Sequence, residues 1–367
     1  MDNFARRPAN DRQPFIEEAA GRRDLTGIVV EKDLWVCWTL RRLMEASDLS
    51  GHLTFKGGTS LSKAFGIIAR FSEDIDLVIG RAAPLIKKIG SPMEEGISGN
   101  ERQRRTKALK AAARSFVSDI AMPALSARIE AALGTADGWN LTLDPDDKDE
   151  QTLLFHYPRP EINVAKKNGG EAEEEGYIKP RIKLEFGARG EGEPSEVKLI
   201  VPYLADVFPD EIPDSATEVP TLAVERTFWE KATILHALYH NGKFRDGLSR
   251  HYYDVLMLDR AGVTEQALKE VALLASVVSN KTIMFTDKSA SYETAVLGTL
   301  RLRPPSELES ELRRDYAAMG EMFMDEPPTF DELVEGLAAI EAKLVPPGDQ
   351  QSSESSRQDT GPHPLKS

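Results

Sequence analysis

Residues 55–78, FKGGTSLSKAFGIIARFSEDIDLV, constrain this chain more than any other stretch. An apolar run over 53–55 leads into Gly57 and Gly58, after which Thr59, Ser60 and Ser62 offer hydroxyls suited to capping a helix that carries Leu61, Ala64, Phe65 and Ile68. The order is strand, tight turn, helix. A second apolar run begins at Ile75. Because side chains alternate across a strand, Asp74 and Asp76 share one face while Ile75 and Leu77 take the other. Two carboxylates on one face repel unless a cation lies between them, and oxygen-only ligands select a hard metal such as magnesium. A glycine turn that opens a helix adds backbone donors and a positive dipole end, which hold phosphate. Taken singly, the glycines are an ordinary turn and the acids an exposed strand end. In this order and polarity they point to a metal-held nucleoside triphosphate.

Gly58 and Ser60, followed after the helix by Asp74-Ile75-Asp76, resemble the signature of polymerase-beta-like nucleotidyltransferases. With Lys56, Thr59, Leu61, Ser62, Arg70 and Ser72 added, the string resembles more narrowly the AbiEii/AbiGii nucleotidyltransferase toxins. The likeness extends more weakly to 182–186, 226–231 and 250–254. It implies an α+β fold, with a polymerase-beta-like nucleotidyltransferase lobe built on a mixed sheet and a C-terminal helical lobe. It also implies a toxin of a type IV toxin–antitoxin or abortive-infection pair, with a separately encoded antitoxin. Such a toxin would transfer a nucleotide from a triphosphate to RNA, in several members of the family the 3′ end of tRNA, and so block translation. Two rivals stay open: a nucleotidyltransferase acting on a protein or small molecule, and a catalytically silent binding module. The second would predict decay of the acids, and Asp74 and Asp76 are both intact.

The candidate site follows from these motifs. Asp74 and Asp76 would bind magnesium, as two ions, with the phosphates on Gly57, Gly58, Thr59 and Ser60, and Ser62 donating a further hydrogen bond. Phosphoryl-type transfer is mostly positioning and neutralisation of charge, so Lys63, Arg70 or Lys231 would supply positive charge. In RIKLEFG, Ile182, Leu184 and Phe186 alternate with Arg181, Lys183 and Glu185. Glu185 on the polar face is a candidate third carboxylate, as ligand or base, and Lys183 on the same face could equally pair with it. Lys231 falls among Thr227, Ile234, Leu235 and Leu238 on a helical pattern, so it needs a path to solvent or an anionic partner. The resemblance assigns it to the nucleotide phosphates. Asp254 lies at pairing distance along a helix from Arg250, and the resemblance makes it instead the last acidic motif, orienting Lys231 or the base. His236 and His240 have a zinc-clamping spacing, but Ala237 stands where a zinc protease has glutamate, and no metal is assigned.

Net charge is −14, so bulk charge cannot coat nucleic acid and RNA contact requires a local basic patch. Residues 101–114, ERQRRTKALKAAAR, hold six basic residues and one acid. They form either a solvated face or a grip on an RNA backbone through Arg102, Arg105, Lys107 and Lys110, with Arg104 and Arg114 beside them. Arg250, with Lys243, Arg245 and His251, would form a second basic rim. No apolar run has membrane-spanning length and no signal peptide is legible, so a cytoplasmic protein without a membrane partner is expected. The single cysteine, Cys37, excludes an internal disulfide.

Glu31-Lys32-Asp33 is expected to open a helix at its solvated end, with Lys32 structural. The segment 197–208 reads as strand, 209–220 as a proline-rich crossing between lobes, 166–176 as a loop between strands, and 264–344 as helical throughout, most regularly over 292–300 and 331–344. Expected domains are an N-terminal helical segment at 1–50, the nucleotidyltransferase domain at 51–215, a helical domain at 216–345 and a disordered tail at 346–367.

Overall fold

The computed structural model of the protein describes residues 1–159 and 178–346. The loop expected over 166–176 and the tail from 347 onward lie outside them. The chain divides into two units, Met1–Val224 with Glu321–Glu326, and Glu225–Gly320 with the chain from Pro327.

Among the described residues the first unit holds seven strands: β1 Leu53–Lys56, β2 Asp74–Ile79, β3 Asn140–Leu143, β4 Thr152–His156, β5 Ile182–Gly187, β6 Ser195–Ile200 and β7 Thr217–Leu222. They form one mixed sheet in the order β3-β4-β5-β2-β1-β7-β6. The acid-bearing strand β2 is central, antiparallel to β1 and parallel to β5. Alternation decides the two faces. Phe55, Ile75, Leu77 and Leu184 are buried on one side, which leaves Asp74, Asp76, Lys183 and Glu185 on the other. On the apolar side Phe155 of β4 stacks on Trp38 of the Gly27–Glu45 helix at 5.9 Å and meets Trp35 edge-on at 6.0 Å. Burying a side chain of this size contributes about 1.5–3 kcal/mol.

That helix corrects one expectation. It begins at Gly27, so Glu31, Lys32 and Asp33 lie one turn inside it, and all three are buried. Apolar residues at 28–30 and 34–38 make core on every side of the helix, and its charges are carried inward with partners. Lys32 pairs with Glu73, Asp33 with Lys63, and Glu31 lies 3.8 Å from Arg159. Two smaller corrections concern 194–220. Pro202 ends the strand reading, and a short helix, Tyr203–Val207, follows. The crossing itself contributes β7. Residues 321–326 join this unit by a short ladder, in which Phe71 N donates to Met322 O at 2.6 Å and Met324 N to Ala69 O at 3.0 Å.

The second unit is helical, with Val224–Asn241, Ser249–Arg260, Val263–Ala267, Val271–Met284, Glu309–Ala318 and Phe330–Lys343. Thr329 and Glu332 close a capping box on the last of these. Gly336 lets that helix approach Ser249–Arg260 closely, since a Cβ there would come within 2.5 Å of Leu256 Cδ1. The expectation of helix throughout 264–344 fails between Met284 and Ser306, where only short 3₁₀ turns occur, one of them at Tyr292–Thr294. Polar side chains there take the bonds a helix would need. Asp287 Oδ1 accepts from Ser289 N at 3.0 Å, and the Thr294 and Thr299 hydroxyls donate to Ser291 O and Thr294 O. His236 lies 3.1 Å from Ser291 O through Nε2 and accepts from Arg301 N through Nδ1. Among the described residues no helix is long and apolar enough to cross a membrane.

Candidate active site

The glycine turn and the paired acids meet at the junction of β1 and β2. Lys56, the last residue of β1, is in register with Asp76, and the Gly57–Lys63 helix starts at the next residue. Gly57 has φ +82, a left-handed conformation that favours glycine. The Asp76 carboxylate lies directly against it. A Cβ at Gly57 would fall 2.8 Å from Asp76 Cγ and closer still to Oδ2. Gly58 is enclosed in the same way, since a Cβ there would meet Ser72 Oγ at 2.6 Å and Arg70 Nη2 at 2.7 Å. The backbone of the turn is thus exposed on both glycines to polar side chains that occupy the space a Cβ would fill.

The turn hydroxyls are used internally and cap nothing. Ser60 Oγ donates to Gly57 O at 2.8 Å, Ser62 Oγ to Thr59 O at 3.1 Å, and Thr59 Oγ1 to Asp74 O at 2.5 Å. The last bond ties the helix to the backbone of the first acid. Thr59 and Ser60 are fully buried. Their hydroxyls therefore shape the turn, and its backbone and Ser62 are what it offers a ligand.

Glu185 is brought beside the pair by register: Asp76 faces Glu185 across β2 and β5, and Asp74 faces Lys183. Lys183 Nζ lies 2.6 Å from Glu185 Oε1, so of the two alternatives open in the sequence the ion pair is the one present. Burial alone would lower the Lys183 ammonium, but its hydrogen bond to Glu185 and the charges of Glu185, Asp74 and Asp144 outweigh it and raise it above the ordinary lysine value. Lys183 and Glu185 also line a cavity of about 320 Å³ whose far wall is acidic, with Asp144, Asp146, Asp147 and Asp149.

Two basic candidates are placed beneath the turn instead of at its mouth. Lys63 Nζ lies 2.6 Å from Asp33 Oδ1 and 3.6 Å from the centre of the Tyr203 ring, and the Asp33 charge holds its ammonium above the ordinary value despite burial. Arg70 is 2% exposed, under Gly58. The buried Lys32 pairs with the half-buried Glu73 immediately before Asp74, and burial pushes the Lys32 ammonium down. Sequence reasoning missed the part these buried charges play. The signal was available in the apolar runs on both sides of 31–33, which mark that triplet as interior.

The basic helix, Gly99–Phe116, is present, but much of its charge is matched. Arg104 and Arg105 pair with Glu101, Arg105 also with Glu94, Lys110 with Asp149 and Arg114 with Glu150. Among the described residues Arg102 and Lys107 have no such pairing, and Lys107 is exposed. In the second unit, Lys231 Nζ meets Asp254 Oδ2 at 2.7 Å with both side chains buried. Asp254 is thus no surface partner of Arg250, and Lys231 has the anion its apolar surroundings demanded.

Whether these residues fit a divalent cation can be judged from the donors. Among the described residues no three His, Cys, Asp or Glu side chains converge as a metal cage. Asp74 and Asp76 nonetheless stand on one face over a glycine turn whose cradle a Cβ would fill. One or two carboxylates completed by substrate phosphates is how magnesium is usually held, so the donor set fits a cation that arrives with a nucleotide.

A family model described as nucleotidyl transferase AbiEii toxin, type IV TA system, matches residues 38–336. No curated protein matches. Six solved chains match, among them MenT4, a nucleotidyltransferase toxin from Mycobacterium tuberculosis H37Rv, at 14% identity over 91% of this chain and 99% of that one, with a TM-score of 0.41.

Proposed function

Since the chain belongs to the nucleotidyl transferase AbiEii toxin family of type IV toxin–antitoxin systems, we propose that it transfers a nucleotide from a nucleoside triphosphate to RNA, at the 3′ end of tRNA, in a magnesium-dependent reaction. The observation that carries this reading is the Asp76 carboxylate seated on the left-handed Gly57, with Asp74 on the same strand face. Asp74 and Asp76 would hold the cation, which when bound neutralises charge on the phosphates and acidifies the acceptor hydroxyl. The backbone of Gly57 and Gly58, with Ser62, would cradle the phosphates at the start of the helix, and the buried Thr59 and Ser60 would hold the turn in shape from within.

In the transfer, the acceptor hydroxyl oxygen bonds to the α-phosphorus, the bond from that phosphorus to the bridging oxygen breaks, and pyrophosphate leaves. Glu185 is the candidate acceptor of the hydroxyl proton. Lys63 and Arg70 act from beneath, holding the turn in shape through Asp33 and against Gly58. Family likeness gives Lys231 to the phosphates, with Asp254 orienting its ammonium. RNA as acceptor also rests on that likeness, with Arg102, Lys107 and Arg250 as the basic residues offered to it. An antitoxin encoded alongside would restrain the activity. On this reading the first unit is the nucleotidyltransferase lobe and the second the helical lobe.

Incubation with each labelled triphosphate, magnesium and total RNA tests it. Label in tRNA that disappears with Asp76→Ala is the expected result. Label in a protein or small molecule would move the acceptor, and transfer that survives Asp76→Ala would remove the site.

A further inference from the structure

The third carboxylate is beside the pair but turned to another partner. Glu185 is one strand from Asp76 in exact register, yet its oxygen is engaged by Lys183, and no cage of three carboxylates forms among the described residues. Lys183 is itself in register with Asp74. Its ammonium therefore stands at the polar face among Asp74, Glu185 and Asp144, the position in which a positive charge is wanted when no cation is bound.

We propose that Lys183 is a built-in counter-ion that latches Glu185 away from Asp74 and Asp76, and that a divalent cation must displace its ammonium before Glu185 can turn toward the pair. The inference rests on the reading of Asp74 and Asp76 as cation ligands. The displaced ammonium has somewhere to go. The cavity of about 320 Å³ that Lys183 and Glu185 line is walled by Asp144, Asp146, Asp147 and Asp149, so the lysine can exchange one carboxylate for others. The pair is partly exposed, at 36% and 42%, so its coupling is weak enough to be broken by a binding event, whereas the buried pairs Lys63–Asp33 and Lys231–Asp254 are not. The consequence is a site whose cation affinity is low when it is empty of nucleotide and rises once phosphates share the ligand set.

The probe is Mn2+ alone, titrated into the nucleotide-free full chain and followed by the loss of its free paramagnetic resonance signal. Lys183→Met should tighten Mn2+ binding about fivefold, the worth of the partly exposed ion pair with Glu185 that the cation would otherwise have to break. Because the latch acts through Glu185, the gain should shrink to less than about threefold in a Glu185→Gln background, a coupling that a bystander charge would not give. Asp144→Asn should weaken binding by removing the lysine's alternative partner. Lys183→Gln repeats the test with a polar side chain, and an unchanged melting temperature shows that the fold is intact. Unchanged Mn2+ affinity in both lysine variants, or the same gain with and without Glu185, overturns the latch. Asp76→Asn separates the premise: if it loses Mn2+ while Lys183→Met gains nothing, only the latch fails, and if it binds as well as wild type, the ligand assignment fails and the latch with it.

Discussion

Replacing Gly57 with alanine tests the glycine turn and the acid pair in one step. The new Cβ would lie inside the Asp76 carboxylate, 2.8 Å from Cγ, where real Cβ atoms do not come within 3.0 Å. What it meets is the end of a side chain, so the chain folds and the carboxylate rotates away. The oxygen must retreat by about 1 Å, against a tolerance of about 0.2 Å in metal–ligand distances, and a 1 Å misplacement near the reacting groups costs about 100-fold in rate. Alanine at φ +82 adds about 1–2 kcal/mol of backbone strain, or about 2–8 °C in melting temperature.

Gly66→Ala is the control, because Gly66 also has a left-handed φ, +62, with nothing within 4 Å of its would-be Cβ. Both variants should melt a few degrees low, and only Gly57→Ala should lose labelled-nucleotide transfer and Mn2+ binding. Wild-type transfer by Gly57→Ala, or equal loss in Gly66→Ala, would refute the reasoning.

Three further outcomes are expected. Lys231→Met removes the ammonium from the fully buried Asp254 and should cost about 3–5 kcal/mol by urea unfolding; Lys231→Met with Asp254→Leu should recover at least half of that. Met324→Pro deletes the N–H that donates to Ala69 O, and should destabilise the first unit by about 1–3 kcal/mol while raising hydrogen exchange over 69–71, read by mass spectrometry. Asp147 is drawn upward by burial, but donors at Gln151 N, Thr152 Oγ1 and Asp149 N outweigh that and hold its carboxyl below 3.8. Its folded value lies below its unfolded one, so its contribution is present above pH 3.8 and lost as pH falls through the folded value. Asp147→Asn should therefore unfold at lower urea than wild type at neutral pH, with the gap closing below pH 3.8.

The sequence alone fixed what depends on neighbours a few residues apart. Alternation over 74–77 put the two acids on one face, the same period over 181–187 put Glu185 and Lys183 together on a polar face, and glycine at 57 met the need for a left-handed residue. Each is set by local backbone geometry, which a short window contains. Only the tertiary structure decided that Glu185 would face Asp76 across 109 positions and that Lys183 would claim it, because strand register is settled by how whole strands pack. The same holds for the buried charges. Lys32, Asp33 and Lys63 read as surface or phosphate-facing groups until Glu73 and the fold of the turn supplied their partners. Residues 292–300 have a helical pattern, yet they yield to His236 and to their own hydroxyls, since hydrogen-bond partners 50 or more residues away carry no local signal.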